Sequence, residues 1–82
     1  MHTKEEILEQ VQSLIAELFE VEKEAIVSDA QLYEDLDLDS IDAIDMIVKL
    51  QAIIGRTVKP EDFRNVRTVD DIVEVVYKLL QE

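Results

Sequence analysis

Between Tyr33 and Asp45 the chain reads YEDLDLDSIDAID, six acidic residues around a single serine. Three arrangements fit such a stretch: a cation-binding loop, an exposed strand, or a helix that begins at a serine. A calcium loop needs oxygen ligands at its first, third and fifth positions, a glycine at the sixth and a bidentate glutamate at the twelfth. Asp35, Asp37 and Asp39 match the first three, but the sixth residue is Ser40 and the twelfth is Met46, which offers no oxygen. No metal-ligand set is assigned; only weak, non-specific attraction of divalent cations is expected. The Asp–Leu alternation has the period of a strand. Aspartate is a poor strand former and no partner strand is visible, so the alternation reads as a loop with its leucines turned in and its acids turned out.

The third arrangement starts a helix at Asp39–Ser40. Asp39 is a good N-cap, and Ser40 then occupies the first helical position. It sits beside backbone N–H groups that have no intrahelical partner and at the positive end of the helix dipole. Such an end accepts a phosphate readily. Two roles stay open on position alone: Ser40 helps to cap the helix, or it carries a phosphoester. Ser13 falls within a helix and Ser28 within a loop, and neither has this surround.

The elements that must position this serine follow from apolar spacing. A first helix is predicted from Thr3 to Phe19, opened by a Thr3/Glu6 capping box. Its stripe is Ile7, Leu8, Val11, Leu14, Ile15, Leu18 and Phe19. Glu20 to Asp39 reads as one long connection, pinned to the core by Val21, Ile26, Leu32, Leu36 and Leu38; connections this long are uncommon and often functional. The second helix runs from Ser40 to Ile54, with Gly55 as its C′ residue. Pro60 opens a short helical turn through Phe63. The last helix begins at Thr68, with Asp71 completing a capping box and Ile72, Val73, Val76, Leu79 and Leu80 as its stripe. Three longer helices and one short one, each with an apolar face, imply an all-α, antiparallel four-helix bundle.

The second helix carries more apolar surface than one stripe requires. Ala43, Met46, Ile47, Leu50, Ile53 and Ile54 form one face, and Ile41, Ile44, Val48 and Ala52 form another, roughly opposite. Either the helix is buried on both sides, or the second face, bordered by Asp42 and Asp45, docks a partner. A chain of 82 residues has few helices with which to cover both.

The formal charge is −12, from 20 acids against 8 bases. Phosphate and anionic membrane surfaces would be repelled, so neither nucleic acid nor membrane is an expected partner; basic protein surfaces are. Repulsion among Glu34, Asp35, Asp37, Asp39, Asp42 and Asp45 should ease with salt or divalent cation, raising stability. There is no cysteine, which removes disulfides, thiolate ligands and a thiol nucleophile and fits the cytosol. The first ten residues hold no apolar run of signal-peptide length, and nowhere are there the ~20 apolar residues of a membrane helix. His2, the only histidine, is assigned no role. No nucleophile–base constellation accompanies the acids, so the chain is read as non-catalytic. One domain over residues 1–82 is expected, without repeats or linkers.

The stretch DLDLDSIDAIDMIVKLQ resembles the phosphopantetheine attachment region of acyl carrier proteins, whose hallmark is Asp-Ser-Leu/Ile at the start of the second helix, here Asp39, Ser40 and Ile41. The order of elements matches over essentially the whole chain. The resemblance implies an acyl-carrier-like fold, with 4′-phosphopantetheine from coenzyme A attached covalently to Ser40 next to Asp39. It implies acyl intermediates held as thioesters and presented to enzymes of fatty-acid or polyketide-type synthesis. The missing cysteine then has a reason, since the prosthetic group brings the thiol. The implied partners are a phosphopantetheinyl transferase and acyl-transfer and condensing enzymes with basic patches. They would meet Asp39, Ile41, Asp42, Ile44, Asp45 and Val48, while Ala43, Met46, Ile47 and Leu50 map to the inward face that can shelter an acyl chain. A cytoplasmic monomer is implied.

The sequence also departs from the family pattern. Common fatty-acid-synthesis carriers have glycine two residues before the aspartate of the Asp-Ser pair, where this chain has Asp37. They carry glutamates at the end of the second helix, where this chain has Gln51 and Ala52, followed by Arg56 and Lys59, with Lys49 on the helix itself. The wording DSIDAID is similar to that of specialised stand-alone carriers, such as those of aryl-polyene or related polyketide-like clusters. An acidic helical interaction module that is never modified would share all these features; only chemistry on Ser40 separates the two.

Overall fold

The computed structural model describes residues 3–81, so His2 lies outside the described residues. Its first helix, α1, spans Lys4–Phe19. Thr3 is the N-cap, its hydroxyl oxygen accepting from the Glu6 N–H at 3.2 Å. Ile7, Val11, Leu14 and Ile15 are buried along one stripe, while Leu8, Leu18 and Phe19 sit half-buried at its borders. The last helix, α3, spans Val69–Gln81 and buries Val69, Ile72, Val73 and Val76 against that stripe. The middle helix, α2, spans Ser40–Ile54 and buries Met46, Ile47 and Leu50. Helix α1 packs most extensively on α3 and less on α2.

Thr68 caps α3 from just outside it, and the expected capping box with Asp71 is present. The Asp71 N–H donates to Thr68 Oγ1 at 3.2 Å, and Asp71 Oδ2 accepts from the Thr68 and Arg67 N–H groups at 3.1 and 2.9 Å. The expected short fourth helix at Pro60–Phe63 is a 3-10 turn of four residues, and a second 3-10 turn lies at Lys23–Ala25. Such short segments make i→i+3 bonds and do not extend into α-helix. The bundle is therefore three α-helices joined partly through 3-10 turns, with no β-strand among the described residues.

The connection from Glu20 to Asp39 is ordered from two sides. Ile26, Ala30, Leu32, Leu36 and Leu38 are buried in the same core as the helices, with Val21 half-buried against it. Its backbone also pairs with the chain entering α3. The Leu32 N–H donates to Arg67 O at 2.8 Å, the Val69 N–H to Ala30 O at 3.0 Å and the Asp70 N–H to Ser28 O at 2.7 Å, with an antiparallel bridge between Gln31 and Thr68. The Leu38 N–H returns to Leu32 O at 3.0 Å, closing the loop on itself. Leucines inward and acids outward is what the structure shows: Leu36 and Leu38 are buried while Asp35, Asp37 and Asp39 are exposed.

Among the described residues two non-glycines have positive φ, Glu20 at 54° and Asp37 at 57°. The left-handed region is cheap for glycine and costs other residues, aspartate less than most. Asp37 stands where the family pattern has glycine, and its backbone has the conformation a glycine would favour. Among the described residues no polar or charged side chain is buried, and no helix is long and apolar enough to cross a membrane. On the outside, Lys4 Nζ reaches Glu74 Oε1 at 2.8 Å and lies 5.1 Å from the centre of the Tyr77 ring. The hydrogen bond to Glu74 raises the Lys4 pKa, but both side chains are about half exposed, so the pair contributes little to stability.

Two stability measurements follow. Asp37→Gly should raise the denaturation midpoint by the equivalent of about 0.5–1 kcal/mol, because relief of the left-handed backbone and of like-charge repulsion outweighs the added freedom of the unfolded chain. A lowered midpoint would contradict the strain. Asp71 has its pKa held below the ordinary carboxylate value of 3.8, chiefly by the Arg67 N–H. A group whose pKa is lower in the folded state contributes stability that is present above that ordinary value and is lost as pH falls through the folded one. The stability gap between the natural chain and Asp71→Asn should therefore shrink from pH 7 to about pH 3. Relief of general repulsion acts on both proteins and cancels in the gap.

Candidate functional site

Helix α2 starts where the sequence places its start. Asp39 is extended at φ −116° and caps the helix. Its Oδ1 accepts from the Asp42 N–H at 2.9 Å, and Asp42 Oδ2 accepts from the Asp39 N–H at 3.0 Å. This reciprocal box uses one oxygen of each carboxylate to hold the first turn rigid. Upstream, Asp35 Oδ2 accepts from the Gln31 N–H at 2.8 Å, closing the turn between the paired backbone and the helix. Sequence spacing had not marked Asp35 for this; its visible signal is only an acid four residues after a turn donor.

Ser40 follows as the first residue of the 15-residue helix, and it is exposed. Among the described residues its hydroxyl has no hydrogen-bond partner. The N–H groups of Ser40 and Ile41 likewise have no partner, while those of Asp42 and Ala43 are satisfied by Asp39. The site thus offers a free hydroxyl, two free backbone donors and the positive end of a helix dipole, which is a surround that fits a phosphate ester. Ser13 is also exposed but lies inside α1, where no such donors are open. Ser28 is exposed in the connection, with its carbonyl accepting from Asp70.

Beside Ser40 lies the second apolar face of α2, and it is open to solvent. Ile41, Ile44 and Val48 are 69, 58 and 56 % exposed. Of the two readings, burial on both sides is therefore excluded. Asp45 is exposed at the edge of this face and Asp42 is half-buried there. On the opposite side Met46, Ile47 and Leu50 are buried and Ala43 is half-buried. Ile53, assigned by spacing to the inward face, is instead 42 % exposed. It lies at the border of that stripe in the last turn, beside Ile54, which is half-buried against the core.

Among the described residues no three His, Cys, Asp or Glu side chains are grouped so as to hold an ion. At the far end of α2 the helix stops at Gly55, φ 69°, whose N–H donates to Gln51 O. Gln51 Oε1 then accepts from the Val58 N–H at 2.8 Å, fixing the chain that follows. That role of Gln51 had no signal in the spacing of the sequence.

Comparison with known proteins agrees with this geometry. A family model described as the phosphopantetheine attachment site matches residues 9–76. The chain is 47 % identical over 78 residues to acyl carrier protein 2 of Ralstonia nicotianae, covering 95 % of this chain and 96 % of that one. It is 34 % identical over 80 residues to the acyl carrier protein of Thermotoga maritima, covering 98 % and 99 %. Among solved structures, the acyl carrier protein of Enterococcus faecalis superposes with a TM-score of 0.75 at 26 % identity, covering 94 % of this chain and 98 % of that one. The chain belongs to the acyl carrier protein family, whose members carry acyl groups on a covalently attached 4′-phosphopantetheine.

Proposed function

We propose that Ser40 is the attachment point of 4′-phosphopantetheine and that the chain is a non-catalytic carrier of acyl intermediates. The observation that carries this is the exposed, unpartnered Ser40 hydroxyl at the first position of α2, beside a solvent-open apolar face. The attached group supplies a thiol that holds acyl groups as thioesters. The remaining functions belong to the chain's own residues. The Asp39–Asp42 box holds the first turn, so that Ser40 is presented at a fixed place. Among the described residues no side chain accepts the Ser40 proton, so a phosphopantetheinyl transferase supplies the base when the hydroxyl is modified. The free N–H groups of Ser40 and Ile41 are the donors that would hold the phosphate of the attached group.

Docking in this reading uses Ile41, Ile44 and Val48 as the apolar centre and Asp39, Asp42 and Asp45 as an acidic rim against basic patches of acyl-transfer and condensing enzymes. Tethering the acyl group near such an enzyme raises its effective concentration at the active site. Ala43, Met46, Ile47 and Leu50 border the space an acyl chain would enter. The lesser packing of α2, compared with that of α3 on α1, supports that entry. The carrier works as one domain over residues 1–82, as a cytoplasmic monomer. The wording DSIDAID and the bases after Val48 favour a specialised carrier of the polyketide type over housekeeping fatty-acid synthesis.

Incubation with coenzyme A and a broad-specificity phosphopantetheinyl transferase should add the mass of one phosphopantetheine, and Ser40→Ala should add none while keeping its helical spectrum. Modification of Ser40→Ala would remove the assignment. No gain by the natural chain with several transferases would leave an unmodified acidic interaction module. Ile44→Ser and Asp45→Asn lie on the exposed face, so folding should be unchanged. Each should lower kcat/KM of a partner acyltransferase by about three- to tenfold, the scale of one interface contact. Unchanged rates in both would contradict docking through this face.

A further inference from the structure

Apart from Arg67, whose charge acts on Asp71 without a contact ion pair, five of the eight bases, Lys49, Arg56, Lys59, Arg64 and Lys78, make no ion pair among the described residues, although the chain has 20 acids to offer. Two of the five continue the line of the proposed docking face. Asp42, Asp45 and Lys49 stand at i, i+3 and i+7, one edge of α2, so the charge on that edge changes sign after Asp45. Lys49 and Asp45 are four residues apart and still do not pair. Ile53 follows one turn after Lys49, and Arg56 comes just past the helix end. Ile53 is 42 % exposed and lies between the two cations in sequence, apolar surface that the core does not use. Next to it is a depression of about 410 Å³ lined by Ile54, Gly55, Arg56, Thr57 and Leu79. The Gly55 cap and the Gln51–Val58 bond hold this end in shape.

We infer that the C-terminal end of α2, with Ile53 at its centre and Lys49 and Arg56 at its rim, is a second docking half of opposite charge that takes an acidic amphipathic segment of the partner enzyme. The inference rests on the carrier reading, since it takes the enzyme to be one that also meets the acidic half. Unpaired cations around exposed apolar surface select an anionic occupant with an apolar stripe. The two halves are centred about 12 Å apart along the helix, from eight residues at the α-helical rise. A partner turned end for end would set like charges against each other at both halves, so the sign change fixes one orientation and rejects enzymes with a uniformly basic patch.

The test uses the full chain, labelled for amide NMR, and two synthetic helical peptides with the same leucine stripe, one flanked by glutamates and one by lysines. At about 0.15 M salt the acidic peptide should shift the amides of residues 49–57 and of Leu79, and the basic peptide those of residues 41–48. The double variant K49E/R56E should weaken binding of the acidic peptide about tenfold, and Ile53→Ser about fivefold, with helical spectra unchanged because all three residues are exposed. Absence of shifts at residues 49–57 would overturn the inference. So would Ile53→Ser binding as tightly as the natural chain, since attraction of charge alone would then suffice. Priming with coenzyme A is read on the same samples and should proceed normally in K49E/R56E. A natural chain that binds the acidic peptide but is never primed would overturn the assignment of this face to a carrier's partner.

Discussion

The position of Ser40 depends on a backbone pairing that neither end of α2 contains. Residues 28–32 of the long connection run antiparallel to residues 67–70 at the entry to α3, joined by three hydrogen bonds of 2.7 to 3.0 Å. From that anchor the chain has only the span from Tyr33 to Leu38 in which to reach the cap of α2. Leu38 closes back on Leu32, Asp35 closes on Gln31, and Asp39 and Asp42 close on each other. Each net hydrogen bond contributes about 1 kcal/mol, whereas burying a leucine contributes about 1.5–3 kcal/mol. The buried Leu32, Leu36 and Leu38 therefore supply most of the stabilisation, and the hydrogen bonds choose the register in which it is collected. The same pairing ties α3 to the loop, so the helix that packs best on α1 also locates the helix that carries the serine.

Charge opposes this compaction and gives it a use. A net charge of −12 on 82 residues destabilises the folded chain through self-repulsion. Part of that negative charge is turned to local advantage. Asp39, Asp42 and Asp71 accept backbone N–H groups at helix starts, where the dipole favours anions. Of the remainder, Glu34, Asp35 and Asp37 in the connection and Asp45 on the first half of α2 are exposed near the apolar face of Ile41, Ile44 and Val48, and the other acids are spread over α1, α3 and the turns. An apolar face with a charged rim attracts a partner of opposite charge at long range and excludes water at short range. Removal of both faces of α2 from water within one small bundle was never available, because three helices can bury only one face each.

Much of this was legible from local rules. The stripes of α1 and α3, the caps at Thr3, Asp39 and Thr68 and the stop at Gly55 follow from side-chain spacing and from the donors a helix start leaves open. The inward leucines of the acidic stretch followed from its alternation together with the poor strand propensity of aspartate. What failed was of longer range. The pairing of residues 28–32 with 67–70 joins segments separated by more than thirty positions and has no periodic signal. The positive φ of Asp37 is masked because aspartate tolerates a conformation that glycine would advertise. Ile53 was placed inward because a helical wheel shows spacing and not how far the core reaches around the stripe. The short helical turn from Pro60 through Phe63, by contrast, was legible, and its four residues take the 3-10 form.

Native-state amide hydrogen exchange is the most direct test of the anchoring role given to the loop–α3 pairing. If that pairing fixes the serine helix, the amides of Leu32, Leu38, Val69 and Asp70 open only with the core and exchange about as slowly as those of Val11 and Ile15 in α1. The amides of Tyr33 and Glu34, in the exposed turn, exchange far faster. Fast exchange at Leu32 and Val69 while Val11 and Ile15 stay protected would contradict it, and would mean that α2 is held by its own buried face alone.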